Sequence, residues 1–351
     1  MSKCKSYDEV ILTSYSTSEQ FYKLKIKLIK LGLPISTPEA PDFENAWTVN
    51  FFGSKSGIRQ LAQKSANKEP DFVMPDGLIC TGKFEASKIA ANKYLNQNGV
   101  VIKSDKGCSG DGLFIFRDGD LSKDYKLCEK EIYERFNGEK YWENLPIIIE
   151  DYIPANFTQN GAFPSIEYRI HKNGRIEMLY YGTMIVSKEG TYRGIEIHES
   201  ILNDRVTAQI VDMGYYIAEQ YAAAKYRGYF DIDMIVGKNN QLYVTESNTR
   251  NTGGTHIYKI ARKFFGKDFM SETYIYSRLP YYITPKRKIS FKELLTSLQQ
   301  YLFSPKIKEG VILHSEIRLR ENRVPYSIFG RSKKRAYEIN TKVMEILDSI
   351  K

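Results

Sequence analysis

The stretch Gly228–Gly254, GYFDIDMIVGKNNQLYVTESNTRNTGG, decides how the rest of the chain is read. Two runs rich in β-forming residues, 230–236 and 241–247, flank Gly237-Lys238-Asn239-Asn240, the composition of a β-hairpin closed by a four-residue loop. Strand side chains alternate between faces, so this register puts Asp231 and Asp233 on one face with Glu246 and Asn248, and sets Asp231 opposite Glu246. Like charges directly opposed destabilise a hairpin. Three carboxylates and an amide oxygen in a row are the donor set of a hard, oxygen-seeking cation, and Mg2+ held through carboxylates and substrate phosphates is the common case. An ordinary solvated acidic surface has the same composition, so the remainder of the chain has to decide between the two.

Composition narrows the setting. With 351 residues and 42% hydrophobic content the chain can bury a sizeable core and is expected to divide into two or three domains. No run of about 18 apolar residues exists for a membrane span, and MSKCKSYDEV lacks the apolar core of a signal peptide, so the expected compartment is cytoplasmic with no membrane partner. Cys4, Cys80, Cys108 and Cys128 form no CxxC pair and the chain has four histidines, which argues against structural zinc. The net charge of +9 is uneven: residues 285–351 hold 15 Lys/Arg against 7 Asp/Glu. Such a surface could receive nucleic acid, an acidic protein or an anionic substrate, or simply be solvated. The tail has no recognised nucleic-acid motif, which disfavours the first.

Along the chain, residues 7–79 read as a small α/β unit. Within it FFGSKSGIRQLAQ (51–63) has Gly and Lys near a helical start but not the spacing of a P-loop, and is read as structural. A helix is expected over 83–97, ending at Asn98-Gly99. It leads into VVIKSDKGCSGDGLFIF (100–116), two β-rich runs around a loop with Gly107, Ser109, Gly110 and Gly112. Glycines let backbone N–H groups approach an anion, and Lys103 and Lys106 supply charges suited to phosphate. Strand-loop-strand is neither a P-loop nor a dinucleotide fingerprint, both of which open a helix after the glycines. LPIIIEDYIP (145–154) reads as a buried strand ending in a connector, where Ile149, Tyr152 and Ile153 could wall a purine or serve an ordinary core. Alternating segments over 165–186 turn at Lys172-Asn173-Gly174, a long amphipathic helix spans 203–226, and 258–265 reads as helix. A strand or hairpin over 310–320 and a helix over 331–347 complete the chain.

Four segments thus stand in order: Lys103 with the glycine-rich hairpin, the Glu150–Ile153 connector, Asp233 on a strand, and Glu246-Ser247-Asn248-Thr249-Arg250. This order resembles the ATP-grasp superfamily of carboxylate ligases over residues 80–265. The E-x-N-x-R tail is similar to biotin carboxylase-like members, and Gly253-Gly254-Thr255-His256 to pheganomycin-type peptide ligases of natural-product biosynthesis. The resemblance implies an α/β (α+β) ATP-grasp fold: an N-terminal pre-ATP-grasp α/β domain (1–80), a small lobe with the Gly-rich loop (81–154), a large lobe with the Mg-ATP and substrate site (155–284), and a C-terminal basic segment (285–351). It implies that Lys103 contacts the α- and β-phosphates, that the 106–113 loop (Lys106, Gly107, Ser109, Gly110, Gly112) closes over the β- and γ-phosphates, and that Glu150, Tyr152 and Ile153 bind adenine. Asp233, Glu246 and Asn248 would hold Mg2+, Arg250 would be the catalytic guanidinium, and Arg169 and Arg193 would clamp a substrate carboxylate. The spacing departs from the family's before Lys103, so Lys83 rather than Lys88 is taken as the first ATP lysine and Glu167 as the ribose-binding acid; Asp231 is a carboxylate the pattern does not require.

The implied activity is ADP-forming ligation, with an amino acid or peptide carboxylate activated as an acyl phosphate and joined to an amine. Transfer to the thiol of an acidic carrier protein is the near alternative, with the 285–351 region as its receiving surface. A non-catalytic nucleotide- or nucleic-acid-binding module and a phosphotransferase are the competing classes. Symmetric oligomers being common, a homodimer is the expected assembly.

Overall fold

The computed structural model describes residues 7–97, 99–107, 112–138, 141–158, 161–284 and 289–350. Ser109 and Gly110 of the glycine-rich loop lie outside these residues. No helix among them is long and apolar enough to cross a membrane.

In chain order the first elements are β1 (Val10–Ile11), α1 (Glu19–Lys30), β2 (Ile35–Ser36), α2 (Trp47–Phe52) and α3 (Lys55–Ser65). Then come β3 (Gly77–Cys80), α4 (Lys83–Gln97), β4 (Gly99–Ser104), β5 (Leu113–Arg117), α5 (Tyr125–Arg135), α6 (Tyr141–Asn144) and β6 (Ile147–Asp151). The middle holds β7 (Pro164–Ile170), β8 (Ile176–Val186), β9 (Tyr192–Ile197), α7 (Asp204–Ala223), β10 (Gly228–Val236) and β11 (Leu242–Asn248). The chain closes with α8 (Thr255–Phe265), α9 (Phe269–Glu272), β12 (Tyr274–Tyr282), α10 (Phe291–Ser297), β13 (Gly310–Leu313), β14 (Arg323–Gly330) and α11 (Lys333–Ser349). The elements expected around 83–97, 100–116, 165–186, 203–226 and 331–347 are present; of the stretch 310–320 only Gly310–Leu313 is strand, and Ile317–Glu321 is a 3-10 turn.

These elements divide into two compact units. One comprises residues up to Thr158 with Ile166–Leu179 and Asp204–Thr252; the other comprises residues up to Ser165 after that point, Tyr180–Asn203 and Gly253 onward. In the first, a four-stranded sheet runs β3-β6-β4-β5, and β10 pairs antiparallel with β11. Its packing follows from side-chain size. Ala86, Ala90 and Ala91 let α4 lie close against the sheet, and Tyr94, Val100, Ile102, Ile147 and Ile149 fill the layer between them with no solvent exposure. Gly112, at φ +72, returns the chain into β5, and its carbonyl accepts from Ser104 N–H at 2.7 Å. Gly53 permits another close approach: a Cβ there would stand 2.2 Å from Thr249 Oγ1, which donates to Val49 O at 2.6 Å and seats the end of β11 on α2.

In the second unit β9, β12, β14 and β13 pair in that order, with α11 against β14, and Ser332 Oγ caps α11 by accepting from Arg335 N–H at 3.2 Å. Its core includes Ile275, Ile328, Phe329, Ala336, Ile339 and Val343.

The hairpin register differs from the expected one. Asp231 pairs with Asn248 and Asp233 with Glu246, whereas Met234 pairs with Val244 and Val236 with Leu242. The loop is one residue longer than the Gly237–Asn240 cluster implied, and a bulge at Asp233/Met234 inserts Thr245 as a surplus residue. The two changes together move the partner of Asp231 by two positions, so the four polar side chains keep one face while their pairing changes. Thr245 Oγ1 donates to Asp233 O at 2.9 Å and compensates part of the interrupted ladder.

Candidate active site

The first unit gathers most of the residues singled out in the sequence. Asp231 and Asp233 are 6% and 9% exposed on β10, and Asn248 on β11 donates from Nδ2 to Asp233 Oδ2 at 3.2 Å. The strand ends at Asn248 instead of extending to Arg250. Arg250 nevertheless reaches back, donating from Nη2 to Asn248 Oδ1 at 2.7 Å, while Tyr15 holds the guanidinium at 3.1 Å from its hydroxyl and 5.5 Å from its ring centroid. Thr252 Oγ1 donates to the Glu167 carboxylate at 2.8 Å, and Glu167 has no exposed surface.

Burial pushes the Asp231 carboxyl up to about 7, with the Glu167 charge adding to the effect and Arg250 and Asn248 opposing it. Its Oδ1 is buried with no hydrogen-bond partner among the described residues. Glu246 shows the opposite balance. Burial acts to raise its carboxyl, but Lys55, Lys103 and Arg250 outweigh burial and hold it below the usual carboxylate range.

The four-stranded sheet meets this face through Lys103. Its ammonium lies 2.6 Å from Glu150 Oε2 and donates to Thr245 O at 3.2 Å, the carbonyl of the surplus bulge residue. Glu150 is 1% exposed and is also held by Arg59 Nη2 at 2.6 Å, which in turn donates to Pro75 O at 2.9 Å. Lys55 on α3 completes the cationic side, 3.0 Å from Glu246 Oε2. Lys55 and Arg59 belong to the 51–63 segment read as structural. The Gly and Lys at its helical start were visible, but a P-loop spacing is not the only way a helix start can meet an anion site.

Other candidates have separate partners. Lys83 sits 3.4 Å from Glu143 and 5.6 Å from the Tyr133 ring centroid, and Lys88 pairs with Glu129 at 2.8 Å. Lys106 donates to Asn50 Oδ1 at 3.2 Å. Tyr152 accepts from Arg117 Nε at 3.3 Å, and Ile153 lies against Gly237, 3.1 Å from where a Cβ would stand. Gly107 and Gly112 flank the residues outside the description. Arg169 lies 3.7 Å from Glu39 and 5.2 Å from the Tyr229 ring centroid. Arg193 belongs to the second unit, where it stacks on Tyr282 at 5.6 Å.

The face fits Mg2+ by its donor chemistry. Asp233, Glu246 and Asn248 offer hard oxygens on one strand-pair surface, and Asp231 leaves a buried oxygen unpaired beside them. Among the described residues no group of three or more His, Cys, Asp or Glu is arranged to hold a metal ion.

No family model and no curated sequence matches the chain. Solved structures do match in fold. Biotin carboxylase of Campylobacter jejuni in complex with β,γ-ATP is 14% identical with a TM-score of 0.63, over 99% of this chain and 76% of that one. The biotin carboxylase domain of Hydrogenobacter thermophilus 2-oxoglutarate carboxylase, solved with MgADP, ADP and bicarbonate, is 13% identical at 0.64, covering 96% and 74%. N5-carboxyaminoimidazole ribonucleotide synthetase of Thermotoga maritima is 15% identical at 0.57, covering 98% and 82%. The mixed α/β architecture that this chain shares with them is the ATP-grasp fold.

Proposed function

We propose that the chain is an ATP- and Mg2+-dependent, ADP-forming ligase that activates an amino acid or peptide carboxylate and joins it to an amine. One observation carries this reading: Lys103 connects the buried Glu150 to the Thr245 carbonyl, one residue before Glu246, so a buried polar contact joins the four-stranded sheet to the acidic hairpin. Fold-level likeness to nucleotide-complexed carboxylases supports it.

A free carboxylate is a poor electrophile. In the proposed reaction its oxygen forms a bond to the γ-phosphorus of ATP as the bond to the β–γ bridging oxygen breaks, and ADP leaves. The amine lone pair then forms the C–N bond, the acyl C–O bond breaks with its electrons on the departing phosphate, and the amine proton passes to solvent. Bound Mg2+ supplies charge neutralisation on the transferred phosphoryl group. Asp233, Glu246 and Asn248 would hold it, Lys103 would bind phosphate oxygens, and Lys106, Gly107, Ser109, Gly110 and Gly112 would close over them and exclude water. Arg250, held by Tyr15 and Asn248, would orient the transferred phosphoryl or the substrate carboxylate. In this reading Lys83, Glu150, Tyr152, Ile153 and Glu167 belong to the nucleotide side, with Glu150 acting through Lys103, and Arg169 to the carboxylate substrate.

The test is release of ADP and phosphate that depends on both a carboxylate and an amine. AMP and pyrophosphate as products would refute it, and mass analysis of a phosphorylated product would assign the chain to phosphotransfer instead. No observation on the basic 285–351 region favours a carrier-protein thiol over an amine.

A further inference from the structure

The contact between Lys55 and Glu246 is absorbed by none of the roles above. The Lys55 side chain is 13% exposed and its stem is fixed at the root of the glycine-rich loop. Its backbone N–H donates to Asp105 O at 3.1 Å, Ser56 N–H donates to Asp105 Oδ1 at 2.8 Å, and Ser54 Oγ caps the helix by accepting from Gly57 N–H at 3.0 Å. Asp105, one residue beyond β4, is itself 6% exposed. The helix start is thereby held in place, and the ammonium points from it onto the acidic hairpin.

Glu246 faces Lys55 directly and lies within the field of Lys103 and Arg250 as well. A divalent cation arriving at Glu246 competes with the ammonium for the carboxylate's charge, which loosens the Lys55 contact at Oε2. A terminal phosphate brought in with the metal offers the displaced ammonium an anion of equal or greater charge, and a flexible four-carbon stem can re-aim by a few ångströms without moving the backbone. The exchange leaves no buried charge unpaired.

We propose that Lys55 is a further nucleotide-site residue that recognises the terminal phosphate of a nucleoside triphosphate, exchanging its Glu246 contact for that phosphate as Glu246 takes up the metal. The inference rests on the nucleotide reading above and assigns it a triphosphate-selective residue from outside the four segments that carried the resemblance.

The experiment measures, with the full-length chain, the affinity for AMP-PNP and for ADP in the presence of Mg2+, in wild type, Lys55→Met, Lys55→Gln and Lys55→Arg. A charge-assisted phosphate contact predicts that Lys55→Met and Lys55→Gln weaken AMP-PNP by about 30-fold. ADP affinity should change by less than about 5-fold, and Lys55→Arg should restore most of the loss. Unchanged or tighter AMP-PNP binding in the neutral variants would show that Lys55 only shields Glu246, and overturns the inference. Equal losses for both nucleotides would reduce Lys55 to a structural role and overturn it too. If Lys55→Met does not fold, Lys55→Arg decides, because its guanidinium keeps the ion pair: retained AMP-PNP selectivity supports phosphate recognition and lost selectivity refutes it. A wild-type chain that binds neither nucleotide would refute the nucleotide reading itself, and this outcome is distinct from a Lys55 variant that binds both normally.

Discussion

Glu246 in the first unit and Glu196 in the second are both carboxylates on strands, yet they are held by opposite kinds of partner. Glu246 is a third exposed and faces an ammonium, with two more cations nearby. Glu196 is 8% exposed and accepts hydrogen bonds from the Tyr337 hydroxyl at 2.7 Å and from Tyr274. Burial and the Glu196 charge push both tyrosine hydroxyls well above their ordinary range, so they remain neutral donors. Cationic partners can be traded for a metal ion or a phosphate, because the exchange conserves charge. Neutral hydroxyls that donate to a carboxylate offer no such exchange, and that arrangement serves packing and fixed geometry. In the proposed reading, cationic partners together with partial exposure set Glu246 apart from Glu196.

The largest effect should come from Glu246→Gln. It keeps the shape and removes the charge, and ADP release should fall by about three orders of magnitude with the circular dichroism spectrum unchanged. Persistent turnover would remove Glu246 from the metal set. Glu150→Gln tests a third case, a carboxylate with cationic partners but almost no exposure. It strands Arg59 and Lys103 in a buried setting, so urea denaturation should report a loss of about 3 kcal/mol. Glu196→Gln should cost about 2 kcal/mol in the same measurement, from weakened bonds to the buried Tyr274 and the partly exposed Tyr337, with Mg2+-nucleotide affinity unaltered. A loss of nucleotide affinity there would break the comparison.

A last effect, read against pH, concerns His314 in the second unit. Burial, assisted by His256, lowers His314 to about 3, and its Nε2 lies 2.8 Å from Ser327 Oγ. Its folded pKa is below the unfolded value, so the neutral ring contributes stability that is complete above pH 6.5. That contribution is lost as pH falls from 6.5 toward 3, where the unfolded chain binds a proton the folded chain does not. His314→Gln should flatten this part of the stability profile, and urea midpoints between pH 4 and 7 would show it.

What the sequence disclosed follows from how local each signal is. The hairpin, the glycine-rich strand-loop-strand and the helix at 83–97 announce themselves through alternation, turn residues and composition within a few positions. The bulge at Thr245 does not, since nothing in VTES marks a surplus residue; it became visible only in the pairing of both strands. Strands β12 and β14 were missed because Pro280 and Pro325 interrupt them, and a proline lacks the N–H a ladder needs. The register of β12 against β14 does shift between Arg278 and Tyr281, around Pro280. Lys55 and Arg59 escaped for a different reason: their partners Glu246 and Glu150 are remote in sequence, and helical composition at 51–63 says nothing about what its first turn will meet.

The surplus residue in β11 has a cost and a benefit that fall on different properties. Thr245 interrupts the β10–β11 ladder, and the carbonyl it brings accepts the Lys103 ammonium. Deleting Thr245 would give an uninterrupted hairpin with Asp233 still opposite Glu246, and would take that acceptor away from Lys103. The shortened protein should resist unfolding better and turn over more slowly, a trade of activity for stability encoded in a single inserted residue.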